Sequence, residues 1–318
     1  MLLSSDIIQP VLDRIWRSFR QVGITDSLKI LEDLAFYLLV ERIGKGEDLY
    51  GRPTPLHTDP FIELFWEHID EYYQAPLPSE DDLYAIKWKD IHELMVEALI
   101  HVNAGDLLDL YIIPQLEAMA PGGRYPTPRH LTHWLAELVK PKRSERVADL
   151  ACGSGGFLVA AKNRRIKVTG MELSPNWARI AGANVTLHDI QRSNIRIGNT
   201  FTILGAPPHA REYDCVLMNP PFGEMIDPAL VTQVFGGSIS GRSETLFAAI
   251  AYEKLKLGGR MAIMLPSGCL FANSSGEQHL RDTLLENNAL KSVISLPKDA
   301  VQPFSTLPTH VLFVHKPQ

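Results

Sequence analysis

From Arg146 onward, short apolar runs of strand length alternate with stretches of helical periodicity, and this alternation constrains the fold more than any other feature. Strands are predicted over 146–150 and 166–172, followed by a helix over 175–187. A short third strand is expected at 195–197, and a fourth ends at Met218. Ser243 reads as the N-cap of a helix over 244–257, with Gly258-Gly259 at its C-terminal end. A fifth strand (260–265), a helix (277–286), a strand (291–296) and a last strand (309–315) complete the pattern. Such a chain forms an α/β fold, a doubly wound, mostly parallel sheet with ligands at the carboxyl ends of its strands. The first 118 or so residues have another rhythm. Leu28, Ile30, Leu31, Leu34, Leu38, Leu39 and Ile43 recur at helical spacing, as do Ile91, Leu94, Met95, Ala98, Leu99 and Val102. Between them lies an acidic, aromatic and proline-bearing stretch, 50–84. The change near Pro121-Gly122-Gly123 predicts two units, a helical one over 1–120 and the α/β unit over 121–318.

Composition narrows the classes. Of the 318 residues, 45% are hydrophobic and 21% charged, the balance of an ordinary globular protein. No apolar stretch approaches the ~20 residues a membrane helix needs, and no membrane partner is expected. The start, Met1-Leu2-Leu3-Ser4-Ser5-Asp6, lacks the basic residues and cleavage site of a signal peptide. Cys152, Cys215 and Cys269 lie far apart without metal-ligand spacing, so reduced thiols in a cytoplasmic protein are expected, and no metal. A net charge of −6 argues against a chain that grips nucleic acid unaided, because phosphate contacts call for basic surface. Two basic clusters, Lys140, Lys142, Arg143 and Arg146, and Lys162, Arg164, Arg165 and Lys167, read as solvated loop or helix ends.

The first predicted strand runs into Asp149-Leu150-Ala151-Cys152-Gly153-Ser154-Gly155-Gly156-Phe157. Its glycines allow a sharp turn and a close ligand, and the helix that follows offers its N-terminus to polar groups. Nineteen residues beyond Gly153, at the end of the second strand, stands Glu172, placed to accept from both ribose hydroxyls of a nucleoside. Two cofactor classes compete. A dinucleotide fold prefers Gly-x-Gly-x-x-Gly, whereas here an acid, Asp149, precedes the glycines. An acid suits the cationic end of S-adenosylmethionine and repels a pyrophosphate.

The fourth strand ends in Asn219-Pro220-Pro221-Phe222. An amide, two stiff prolines and a ring can hold a planar amino group by its hydrogens with an aromatic face against it. Methylation of an exocyclic base amine needs that arrangement. By itself the tetrapeptide is also compatible with a rigid turn.

Taken in order, Gly123-Arg124-Tyr125-Pro126-Thr127-Pro128-Arg129, the glycine loop, Glu172 and Asn219 to Phe222 resemble the N6-adenine DNA methyltransferase (modification) subunits of type I restriction-modification systems. The likeness runs from Gly123 to His315, with Met264-Leu265-Pro266-Ser267 matching a fifth-strand signature. It implies a class I S-adenosylmethionine-dependent methyltransferase, Rossmann-like, with a helical N-terminal domain that clamps DNA or meets a partner. It further implies that Tyr125, Thr127, Pro128 and Arg129 frame the methionine end of the cofactor, and that Asp149 faces its amino-acid portion. Gly153, Ser154, Gly155 and Gly156 would run along its backbone and Glu172 would hold the ribose. The implied partners are double-stranded DNA with a flipped adenine, a specificity subunit and a restriction subunit. The sequence departs from the family at Gly198-Asn199-Thr200, where Asp is usual; Asn199 can still accept the cofactor's adenine amine through its side-chain oxygen, with weaker binding expected. It departs again at Gln318, where family members continue into a helical region, leaving open a truncated chain or recognition wholly by a partner.

The implied mechanism has the Asn219 side-chain oxygen and the Pro220 carbonyl each accept one N6 hydrogen, with Pro221 holding the turn and Phe222 stacking on the base. The stretch 223–242 reads as a long glycine-rich connection, either a lid over DNA or an ordinary loop. Protein glutamine N5-methylation, rRNA or cytosine N4 methylation, and a non-catalytic cofactor-binding scaffold are the alternatives.

Overall fold

In the computed structural model, residues 2–21, 23, 25–44, 88–117, 127–161, 166–190, 193–205, 211–237, 239–301 and 307–318 are described. The stretch 50–84, Tyr125 and Pro126, and Lys162, Arg164 and Arg165 lie outside them. The helical region comprises α1 (Leu2–Gln21), α2 (Ser27–Gly44), α3 (Trp88–Leu99) and α4, which runs through Ala104–Asp106, a π-helical Leu107–Ile112 and Ile113–Glu117. α5 (Arg129–Val139) leads into the α/β part: β1 (Arg146–Asp149), α6 (Gly156–Ala160), β2 (Lys167–Glu172), α7 (Pro175–Leu187), β3 (Ser193–Ile197), α8 (Thr200–Leu204) and β4 (Tyr213–Met218). α9 (Pro228–Phe235), α10 (Ser243–Lys254), β5 (Leu255–Pro266), α11 (Ser267–Phe271), α12 (Ser275–Glu286), β6 (Leu290–Ser295) and β7 (Thr309–His315) follow.

The strands form one seven-stranded sheet in the order β3-β2-β1-β4-β5-β7-β6. β7 runs antiparallel to both of its neighbours, and the other neighbouring pairs are parallel. Val147, Val216, Leu217, Ala262 and Ile263 are buried, as central strands covered on both faces require. The chain moves outward from β1 to β3, then returns to β4 on the other side of β1. This reversal opens a crevice at the carboxyl ends of β1 and β4.

Among these elements α7 is buried on almost every side. Its Trp177, Ile180, Ala183 and Leu187 belong to the same apolar core as Leu12, Leu34 and Met95 of the helical region. Ala181 and Val185, on the opposite face, pack with the sheet residues Val147 and Val168. Small residues at 178 and 181–183 let both layers approach. The same junction carries polar pairs, one buried (Glu32 with Arg179) and one largely exposed (Arg42 with Asp189). Glu32 pairs with Arg179 and accepts from Asn176 Nδ2 at 3.0 Å, while Arg42 pairs with Asp189 and donates to the Thr186 carbonyl at 2.9 Å. Two buried charges of opposite sign that close on each other avoid the desolvation cost each would bear alone.

Three predicted details differ. The helix expected over 244–257 ends at Lys254, and Gly258-Gly259 lie inside β5. Gly258 has φ +72, and a Cβ on Gly259 would lie 2.8 Å from the Lys256 carbonyl, so the pair makes an irregularity in the strand, bonded to Lys316. Buried Lys254 and Lys316 serve the α10 end instead: Lys316 Nζ donates to the Tyr252 carbonyl at 2.8 Å, and Lys254 Nζ to the Leu204 carbonyl at 3.3 Å. Ser243 is the first residue of α10 and Arg242 its N-cap; the Ser243 hydroxyl is engaged elsewhere, as described below. The glycine-rich 223–242 connection contains α9, capped by the Asp227 carboxylate and closed by Gly236 in the left-handed conformation. Its far end is tied to α12 by Gly276 N donating to the Ser240 carbonyl at 2.7 Å.

Candidate functional site

β1 ends at Asp149, and the chain turns through Gly153 (φ +51) and Gly155 (φ +82) into α6. Both angles lie where a side chain is disfavoured. Gly156 is a glycine for a different reason: a Cβ there would sit 2.3 Å from Arg129 Nη1. Arg129, the first residue of α5, lies against the turn, with Nη2 3.4 Å from Ser154 Oγ and Nη1 3.3 Å from the Thr127 carbonyl. Glu172 closes the turn from β2. Its Oε2 accepts from Gly153 N at 3.1 Å and its Oε1 from Ser174 N at 2.9 Å. Asn199 caps α8, its Oδ1 accepting from Phe201 N at 2.9 Å, and Thr200 Oγ1 donates to the Leu150 carbonyl at 2.6 Å.

Asn219 follows β4 directly. The Pro-Pro-Phe turn after it is clamped by the start of α10. Ser243 Oγ lies 2.7 Å from the Pro221 carbonyl and accepts from Glu224 N at 3.0 Å. Glu244 Oε2 accepts from Gly223 N at 2.7 Å. Sequence reading treated Ser243 as a cap, because a serine before an apolar helical run gives no sign that its hydroxyl reaches back twenty-two residues.

Two cavities open on these turns. The larger, ≈ 370 Å³, is lined by Glu172, Trp177, Asn199, Pro220, Phe222 and Met264 among others. The smaller, ≈ 60 Å³, is lined by Thr127, Arg129, Thr132, Asp149, Gly156 and Phe157 among others. Ala151, Gly153, Ser154 and Asn219 line both. Asn219 therefore stands at the junction, and its Oδ1 is buried with no hydrogen-bond partner among the described residues. Nearly all buried polar atoms are paired, so such an atom points to a missing donor.

Asp149 is almost wholly buried, and its carboxyl is pushed up to about 8. Burial is the largest cause; the nearby Glu172 charge adds to it, and the Ala151 N–H bond works against it. Arg129 stands among the other lining groups of the same small space. This donor set offers N–H groups to an anion and a proton-accepting carboxyl to an amino group, the two ends of an α-amino acid.

Of the predicted site residues, Thr127, Arg129, Asp149, Gly153, Ser154 and Gly156 meet at the smaller cavity. Glu172, Asn199, Asn219, Pro220, Pro221 and Phe222 meet at the larger one. Gly155 and Pro128 line neither. Gly155 packs on Ala181, whose Cα would lie 3.3 Å from an added Cβ, and Pro128 precedes the first turn of α5. Trp177 in the large cavity and Asp109 behind Arg129 escaped sequence reading, and Met264 was read only as part of a strand signature. Each is an apolar or acidic residue on a helix or strand, indistinguishable in sequence from its neighbours.

The chain is 28% identical over 230 residues to the type I restriction enzyme EcoEI methylase subunit of Escherichia coli, covering 66% of this chain and 46% of that protein. It is 31% identical over 229 residues to the StySPI methylase subunit of Salmonella potsdam, covering 64% and 40%. The chain thus spans less than half the length of these curated relatives. Among solved structures, the type I restriction-modification system methyltransferase subunit from Streptococcus thermophilus superposes with a TM-score of 0.62 at 18% identity, covering 100% of this chain and 84% of that one, which shows a shared fold. The N-6 DNA methylase family model matches residues 110–318, about two thirds of the sequence, and the chain belongs to that family.

Proposed function

We propose that this chain transfers a methyl group from S-adenosylmethionine to the N6 amine of adenine in DNA, as the modification subunit of a type I restriction-modification system. The observation that carries the reading is the unpaired Asn219 Oδ1 at the point where the two cavities meet. In this reading 1–120 is a helical unit that meets DNA or a partner, and 121–318 is the catalytic unit. A specificity subunit supplies sequence recognition, in keeping with the net charge of −6, and a restriction subunit completes the system.

The residues fit such a cofactor. Thr127 and Arg129 receive the carboxylate of its amino-acid end, and Asp149, once ionised, its ammonium. Glu172, at the end of β2, lines the larger cavity and receives the ribose hydroxyls. Asn199 Oδ1, with one lone pair spent on Phe201 N, offers the other to an adenine amine. When bound, S-adenosylmethionine supplies a methyl group on a sulfonium that leaves readily. The protein's part is to prepare the acceptor. An adenine N6 lone pair is delocalised into the ring and is poorly nucleophilic. Asn219 Oδ1 and the Pro220 carbonyl each accept one N6 hydrogen, which draws the nitrogen toward a tetrahedral shape and frees its lone pair along the line to the methyl. The Ser243 and Glu244 clamp holds the turn so that this geometry is set before the base arrives. Phe222 lies against the base face. A base inside a duplex cannot reach this cavity, so the adenine is flipped out.

The test measures tritiated methyl transfer to unmethylated genomic DNA, with the specificity partner present, beside calorimetric binding of S-adenosylmethionine. Asn219→Ala is expected to lose turnover by about 10²–10³-fold, the scale seen when one preorganised group is removed, with cofactor affinity unchanged. Near-normal turnover by the variant would overturn the mechanism. Absence of cofactor binding by the intact chain would overturn the reading as a whole.

A further inference from the structure

Among the described residues, Asp109 of the helical region contacts Arg129, which lines the small cavity. Within α4, Leu107–Ile112 is π-helical, and the Ile113 N–H bonds to the Leu108 carbonyl five residues back. Leu107, Leu108, Ile112 and Ile113 are all fully buried in the helical core, an i, i+5 pairing that a regular α-helix would not keep on one face. The wider turn lets Asp109, 2% exposed, leave that core and face Arg129. Asp109 Oδ1 lies 2.8 Å from Arg129 Nη2, and the Asp109 main-chain carbonyl accepts from Arg129 Nε at 3.2 Å. Asn184 Nδ2 braces the carboxylate at 2.7 Å and also donates to the Ser154 carbonyl at 3.0 Å. With the Thr127 and Ser154 contacts, the described residues take four of the five guanidinium N–H groups. Nη1, which carries the fifth, sits over Gly156 at the small cavity.

We propose that Asp109 is a positioning residue for the cofactor's amino-acid end, setting Arg129 for the carboxylate and making the helical region a part of the cofactor site. The inference rests on the S-adenosylmethionine reading above. Its elements come from different parts of the chain, Asp109 from α4 and Arg129 from α5. Asp109 neutralises the charge of Arg129, so what the guanidinium offers a carboxylate is a directed N–H and not net charge. Direction is lost when the grip on Nε and Nη2 is lost.

Calorimetry with two probes separates this role from a general structural one. S-adenosylhomocysteine carries the amino-acid end, and 5′-methylthioadenosine lacks it. Asp109→Ala is expected to weaken S-adenosylhomocysteine by about tenfold, the cost of one charged hydrogen bond, and to leave 5′-methylthioadenosine unchanged. Asp109→Asn keeps an oxygen for both Arg129 and Asn184 and is expected to restore the affinity. Equal weakening of both probes, no weakening by the alanine variant, or an asparagine variant as weak as the alanine one would each overturn the proposal. The asparagine variant decides the matter if the alanine chain does not fold. Wild-type chain that binds neither probe would instead overturn the cofactor reading.

Discussion

The two cavities meet at Asn219 yet are built on opposite principles. In the small one the polar groups are already engaged: Arg129 by Asp109, Thr127 and Ser154, and Asp149 by Ala151 N. In the large one the walls are mainly apolar and aromatic, and Asn219 Oδ1, at its junction with the small one, has no hydrogen-bond partner among the described residues. A group that only holds a ligand can be braced by neighbours, since bracing reduces the ordering cost of binding. A group that acts on the reacting atom must keep its lone pair for that atom, and the fold bears the cost of leaving it unpaired.

The sharpest way to test the contrast is pH, which should act on the small cavity alone. Asp149 holds its proton up to about 8, against an ordinary 3.8. The folded chain therefore binds more protons than the unfolded chain between these values, and this carboxyl subtracts stability as pH rises from one to the other. A ligand ammonium requires the ionised form. Binding of S-adenosylmethionine should release a proton near pH 6 and tighten by roughly twentyfold from pH 6 to pH 8, the ligand's own α-amino group offsetting part of the gain as it loses its proton near 8, and Asp149→Asn should flatten the profile. Calorimetry in buffers of different ionisation enthalpy reads the proton directly; a flat wild-type profile would break the comparison.

A smaller effect is expected from Gly156→Ala. The added methyl group meets Nη1 of the Arg129 guanidinium, a group that four hydrogen bonds hold in place, so it cannot swing aside cheaply. Affinity for S-adenosylmethionine should fall about tenfold, with about 1–3 kcal/mol lost from stability, as overpacking usually costs. Unchanged affinity would show that Arg129 is not fixed where the structure places it.

The smallest effect belongs to the other cavity. Ser243→Ala removes the hydroxyl that meets the Pro221 carbonyl and Glu224 N. Turnover should fall by about fivefold while cofactor affinity stays constant, because the lost bond, worth about 1 kcal/mol, serves the acceptor turn alone. A matching loss of cofactor affinity would mean that the two cavities are not separately supported.

Much of this site was legible because its chemistry is local. The glycine turn, Glu172 at the next strand end and Asn219 to Phe222 each sit at a strand terminus, and periodicity alone locates strand termini. Other parts were not legible. Ser243 was read as a cap because local sequence cannot tell a capping hydroxyl from one that reaches a distant carbonyl. Gly258-Gly259 were read as a helix end because a glycine pair serves a strand irregularity equally well. The 223–242 connection was read from its glycines, while α9 within it rests on Asp227, Pro228 and a short apolar run.

The sequence by itself determined the order of strands and helices and the chemical kind of each turn, because these depend on residues adjacent in the chain. Only the tertiary structure decided which groups share a cavity and that Asn219 Oδ1 finds no hydrogen-bond partner among the described residues. It alone brought Asp109 of the helical region against Arg129, across twenty positions of sequence, through a π-helical turn. Such pairings depend on where packed layers cross, and α7, buried between the two cores, fixes that crossing.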